Sequence, residues 1–114
     1  MSKRIEQVNE LIKQEVSKTL SQKIDFNNEI VTITQVDTSP NLRQAKVKIT
    51  VFNQDNQKMV LQKINRKIYD IQQDLNKKLN MRPVPKLIFS IDSSESKAQR
   101  VEELLQQIKK DKNT

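Results

Sequence analysis

Glycine is missing from this chain, and so are cysteine, histidine and tryptophan. Each absence excludes some chemistry. Without Gly there is no P-loop and no dinucleotide fingerprint, because both bring phosphate against backbone that carries no Cβ. Without Cys there is no disulfide, no thiolate nucleophile and no Cys metal site. Without His the commonest general base and the commonest metal ligand are gone. Aromatic residues make up only 4%, which leaves few platforms for stacking on nucleobases. No apolar run is long enough for a membrane span. The opening MSKRIEQVNE also lacks the apolar core of a signal peptide. We therefore expect a cytoplasmic protein that needs no cofactor and no metal.

What remains is polar and basic. Hydrophobic residues make up 34% of the 114 and charged residues 31%, with a net charge of +7 and a pI near 9.7. The length suits one domain, expected over residues 1–110, with 111–114 as a frayed tail. A charge balance of this kind favours an anionic partner, either nucleic acid or an anionic membrane. The excess is local. Residues 57–82 hold seven cations and two anions, net +5, whereas 1–56 and 83–114 each carry net +1.

Periodicity assigns the elements. Ile5, Val8, Ile12, Val16 and Leu20 recur at three- and four-residue steps, which predicts an amphipathic helix over about 2–22 with Ser2 as N-cap. Arg4 falls in its first turn, where the helix dipole disfavours a cation and a phosphate could favour one. Residues 30–37, IVTITQVD, read as a strand. In SPNLR, Pro40 pre-sets one turn position and Asn41 tolerates the next. AKVKITVF then alternates. Ala45, Val47, Ile49 and Val51 face one way, and Lys46, Lys48 and Thr50 the other. This predicts an antiparallel hairpin with one wet face.

The stretch LQKINRKIYDIQQDLNKKLNMR, residues 61–82, has a helical stripe of Leu61, Ile64, Ile68, Ile71, Leu75 and Leu79. Asp55 or Asn56 is the expected N-cap of this helix. Lys63, Arg66 and Lys77 lie on the far side, with Lys67 and Lys78 on one flank. About 24 residues would span roughly 36 Å, about the full width of a domain this size, so a kink is expected within 57–80. Pro83 and Pro85 stop the helix. KLIFSID gives a third strand with Leu87, Phe89 and Ile91 on one face. Ser93 or Ser94 then caps a last helix with the stripe Ala98, Val101, Leu105 and Ile108. A strand–helix–strand crossover favours a parallel pair. The fold read from this order is α+β, a three-stranded mixed sheet with helices on one face.

Arg66–Asp70 and Asp74–Lys78 are ordinary i,i+4 pairs, yet two acids cannot neutralise the five cations among residues 63–78. An anion-binding face is therefore expected there. Lys46 and Lys48, two apart on one strand face, can reach the same polyanion groove or else protect an open sheet from aggregation. Tyr69 could stack on a base, though packing against the first helix is the expectation. Asp25, Glu29 and Asp37 lack metal-loop spacing, and Asp70 and Asp74 are flanked by cations, so no enzyme is expected.

Two motifs carry a family resemblance. VTITQVDTSPNLRQAKVKITVF, residues 31–52, and MRPVPKLIFSIDSS, residues 81–94, resemble ribosome-binding factor A. An N-terminal helix with Arg4 before Ile5, and a terminal helix with Leu104 and Leu105, add weaker support. The resemblance implies a type II KH-like fold, helix–strand–strand–kinked helix–strand. It also implies a non-catalytic assembly factor that binds 16S rRNA of the small (30S) ribosomal subunit, with a role in late processing and cold adaptation. In the family an Ala-x-Gly kink replaces the Gly-rich phosphate clamp of ordinary KH domains. That kink falls here on Lys67-Ile68-Tyr69, with neither the Ala nor the Gly. The family's usual Arg just beyond it aligns with Gln72. The apolar stripe runs in phase through this point, which predicts a mild bend. Arg43 and Arg82, with Arg4, Lys46, Lys48, Lys63, Arg66, Lys67, Lys77 and Lys78, complete the candidate RNA-binding cations of an expected monomer. A general RNA-binding module and a protein adapter that offers its sheet edge are the alternatives.

Overall fold

The computed structural model describes residues 3–92. The chain runs α1 (Lys3–Lys23), β1 (Val31–Thr38), β2 (Gln44–Val51), α2 (Gln57–Arg66), α3 (Ile68–Lys78) and β3 (Lys86–Ile91), with a 3-10 turn (Gln54–Asn56) ahead of α2. The sheet order is β1-β2-β3. β1 pairs antiparallel with β2, and β2 pairs parallel with β3. This is the α+β arrangement the sequence predicts. Ser2 and the expected last helix from Ser93 or Ser94 lie outside the described residues, as does the tail.

The helices lie on one face of the sheet and bury a single apolar layer. Val8, Ile12, Val16 and Leu20 of α1 meet Ile33, Val36, Val47, Ile49 and Phe89 of the sheet, and Ile64, Ile71 and Leu75 complete the core. Along β2 burial alternates residue by residue, with Ala45, Val47, Ile49 and Val51 inward. β1 breaks that rhythm. Ile33 and Val36, three apart, are both buried, because a bulge between Ile33 and Gln35 inserts Thr34. The extra residue reverses the side-chain phase, which keeps both apolar groups on the core face.

Polar side chains fix the joints. Thr38 N–H and Oγ1 donate to Asn9 Oδ1 at 2.9 and 2.5 Å, which pins the end of β1 to α1. Thr34 Oγ1 donates to Asp92 Oδ2 at 2.6 Å, from β1 to the residue after β3. Asn56 is the N-cap of α2, as expected, but makes no side-chain cap bond; Asn53 Oδ1 caps the preceding 3-10 turn, accepting from Asp55 N–H at 3.2 Å. Asn56 instead directs its amide to Glu29.

The absence of Gly has a visible consequence. Among the described residues, those at positive φ are Asn27 (54°), Asn28 (67°) and Leu42 (61°). Asn tolerates this region, whereas Leu suffers a Cβ clash. In the turn between β1 and β2 the left-handed residue is thus Leu42 rather than Asn41. The Asn41 side chain is otherwise engaged, accepting from Ser39 Oγ at 2.6 Å and from Arg43 N–H at 3.1 Å.

The long helix is interrupted where the family resemblance places its kink. Lys67, with φ −108° and ψ 14°, separates α2 from α3. Its N–H bonds the Ile64 carbonyl, three residues back, and its own carbonyl accepts from Ile71 N–H. A single residue therefore absorbs the change of direction. Ile64 and Ile71 remain fully buried on either side, so the stripe stays in phase. Ile68, expected in the core, is only half-buried beside the break.

Candidate nucleic-acid interface

The cations of α2 and α3 divide by what they touch. Arg66 and Lys67 are exposed at the break. Lys77 is also exposed, ten residues beyond Lys67 and hence roughly 15 Å along the helical path. None of the three takes part in the ion pairs found among the described residues. The expected Arg66–Asp70 pair does not form, because the break at Lys67 spoils the i,i+4 spacing.

Lys78 has a different environment. Its Nζ lies 3.1 Å from Asp74 and 3.6 Å from Glu15. Thr19 Oγ1, buried on α1, donates to Asp74 Oδ2 at 2.5 Å. The Thr19 hydroxyl first, and then the Lys78 ammonium, hold the Asp74 carboxyl below its ordinary value. The bond to Asp74 in turn raises Lys78 above its own. Lys78 thus ties α3 to α1, and its charge is already met within the protein. Lys63 is also engaged. It is half-buried, and its Nζ donates to the Asp25 carbonyl at 3.0 Å.

The remaining candidates are dispersed. Arg4 is exposed in the first turn of α1. Arg43 and Arg82 are exposed in the loops that precede β2 and β3, and the Arg43 carbonyl accepts from Lys86 N–H. The structure separates Lys46 and Lys48 from the helix cations. They alternate with Ala45, Val47 and Ile49, which face the helices, so they project from the opposite face of the sheet. The single groove expected for both sets is replaced by two surfaces, because a two-residue side-chain period cannot place neighbouring residues on one side.

A groove adjoins the break. It lies between α3 and β3, is lined by Ile68, Tyr69, Gln72, Asn76, Val84, Lys86 and Leu87, and encloses about 390 Å³. Tyr69 was expected to pack on α1, but it is 72% exposed and forms one wall of the groove. Its position after the break turns it away from α1 and toward β3. Gln72 closes the inner side. Its Oε1 accepts from Leu87 N–H at 2.8 Å, and its Nε2 donates to the Pro85 carbonyl at 3.1 Å. One side-chain amide thus pairs with the edge of β3 as a neighbouring strand would. Sequence reading missed Asn76, Val84 and Lys86 here. The groove joins α3 to a separate segment that begins at Val84, and no local pattern marks it. An aromatic wall, an apolar floor, amide donors and acceptors and one ammonium can together hold a nucleobase with its phosphate.

Comparison with known proteins agrees with the motifs. The family model described as ribosome-binding factor A matches residues 4–105. Ribosome-binding factor A of Akkermansia muciniphila is 31% identical over 110 residues, covering 96% of this chain and 88% of its own length. The crystal structure of ribosome-binding factor A from Thermus thermophilus superposes with a TM-score of 0.68 at 17% identity, covering 76% of this chain and 93% of that one. A homology model of the Thermus thermophilus factor, fitted into a cryo-EM map of its complex with the 30S subunit, superposes with a TM-score of 0.58 at 17% identity, over 80% of this chain and 93% of that one.

Proposed function

The chain belongs to the ribosome-binding factor A family, and from that premise we propose that it is a non-catalytic assembly factor that binds 16S rRNA of the small ribosomal subunit during late maturation. The observation that carries this reading is the family match across residues 4–105. The exposed cations at the break in the long helix support it. Phosphate contacts from Arg66, Lys67 and Lys77 would give affinity and orientation, while RNA shape would give selectivity. The Gly-free break supplies no bare backbone cradle, so side-chain ammonium and guanidinium groups must meet the phosphates. The groove beside Tyr69 offers a place for one unstacked base. The carboxylates of α3 sit among cations, consistent with a binding role.

The test is co-sedimentation with purified small subunits, together with the state of the rRNA in cells that lack the protein. Binding to subunits in preference to free oligonucleotides, and accumulation of unprocessed small-subunit RNA that worsens in the cold, are the expected results. Equal binding to any single-stranded RNA, with normal processing in the deletion strain, would sink the proposal in favour of a general RNA-binding module.

A further inference from the structure

The face of the sheet turned away from the helices carries its own chemistry. β2 runs through its middle and presents Lys46, Lys48 and Thr50 outward. Phe52 follows in the same phase, just past the end of the strand, and is 84% exposed. Its N–H bonds the Ile30 carbonyl at 3.0 Å, which places Ile30, itself 62% exposed, at its side. Lys86 on β3 stands beside Gln44 at the other end. Two acids stand against this row: Asp37 on β1, opposite Lys46, and Asp92 just past β3, in the outward phase, whose Oδ2 accepts from Thr34 Oγ1 across β2. No described element covers the face.

Two features need an explanation. An aromatic ring left 84% in water contributes almost nothing to folding, since its apolar area is not removed from solvent. Lys46, Lys48 and Lys86 outnumber the two acids of the face, and no ion pair found among the described residues engages them. A surface with cations along its length, small polar side chains between them and an aromatic–aliphatic pair at one end suits a single nucleic-acid strand. The ammonium groups would meet phosphates, and the Phe52 ring would stack on a base. A protein partner would be favoured by a broader apolar centre, whereas here Ile88, beside Lys46, is the one large apolar side chain among the described residues at the centre of the face.

We propose that this open sheet face is a second RNA-binding surface, so that the protein is held between two RNA segments, one on the helix cations and one on β2. The proposal rests on the RNA-binding reading above and deepens it. The two surfaces lie on opposite sides of the sheet and share no side chain among Arg66, Lys67, Lys77, Lys46, Lys48 and Phe52. Their contributions should therefore be nearly independent.

The test is co-sedimentation of the full chain with small subunits across a salt series. Lys46→Ala/Lys48→Ala should weaken binding roughly tenfold at low salt and reduce the salt slope by about 1.5–2, the loss of two phosphate contacts. Phe52→Ala should weaken binding about fivefold or more and leave the slope unchanged, because stacking releases no counterions. Combining either variant with Arg66→Ala/Lys67→Ala/Lys77→Ala should multiply the separate losses to within about twofold. A photoreactive residue placed at position 52 should cross-link to RNA. Cross-linking to a ribosomal protein, or back to residues 93–114 of this chain, would overturn the proposal. So would binding by Lys46→Ala/Lys48→Ala within about twofold of wild type, well short of two lost phosphate contacts. If the unaltered protein fails to sediment with subunits at all, the RNA-binding reading itself is at fault. A loss confined to the helix variant sinks only this inference.

Discussion

Gln72 shows how much one side chain can settle. Its amide makes two hydrogen bonds to the edge of β3 and a third to Asn76 Oδ1 at 3.2 Å. It stands where the family's usual Arg aligns, and a guanidinium has no acceptor with which to take the Leu87 N–H. Gln72→Ala would leave that half-enclosed N–H without its partner. We expect a loss of about 1–3 kcal/mol in urea unfolding, and an unchanged midpoint would show that water replaces the amide at no cost. Asp74 is the second informative residue. Its folded value lies below the ordinary 3.8, so the stability it contributes is present above that pH and is lost as pH falls through the lower folded value. Wild type should lose more stability than Asp74→Asn between neutral pH and about pH 3. Parallel losses would mean that the carboxylate's charge plays no part in joining α3 to α1.

At the scale of elements, the break in the long helix is informative because it needs neither Pro nor Gly. Lys67 leaves helical geometry while the apolar stripe stays buried on both sides, so packing rather than propensity sets the joint. The core should be sensitive to truncation next to it. Ile71 is fully buried, and Ile71→Ala should cost about 2–5 kcal/mol in chemical denaturation. A loss below about 1 kcal/mol, well under that range, would mean that α3 does not bear on the sheet. The break also accounts for two sequence expectations that did not hold. The Arg66–Asp70 pair needs an unbroken helix, and Tyr69, just past the break, lines the groove against β3.

At the scale of the whole molecule, the question is whether position or net charge governs binding. Arg66→Ala/Lys67→Ala/Lys77→Ala removes three exposed cations, and Lys109→Ala/Lys110→Ala/Lys112→Ala removes the same charge from the C-terminal segment. The first triple should weaken subunit binding strongly and flatten its salt dependence, and the second should change little. Stability should stay within about 1 kcal/mol of wild type for the first, because exposed charges contribute little to folding. Equal weakening by both triples would mean that only the overall charge of +7 is sensed. Lys78 is left out of the first set because its partners are Asp74 and Glu15, and Lys63 because it holds Asp25.

Much of this protein was legible in its sequence. The family resemblance placed the kink, since no Pro or Gly marks it within 57–80. The strand phase of residues 45–51 and the helical stripe from Leu61 to Leu79 are local patterns. They follow from the two- and 3.6-residue periods of the backbone, and a single chain displays them without reference to anything distant. The missing Gly also means that sharp turns fall to other residues, although nothing local singles out Leu42 as one of them. What the tertiary structure decided is which groups meet. The Thr19–Asp74 bond spans 55 residues, Thr34–Asp92 spans 58, and Gln72–Leu87 spans 15. Thr34–Asp92 ties β1 to the end of β3, whereas the Thr19 and Gln72 contacts are set by how helices settle on the sheet, and the Thr19–Asp74–Lys78 set leaves Lys78 engaged within the protein. The same packing places Lys46 and Lys48 on one side of the molecule and Lys67 and Lys77 on the other. Charge can be counted along a chain, but the side from which it acts is fixed only when the apolar face of the sheet is covered.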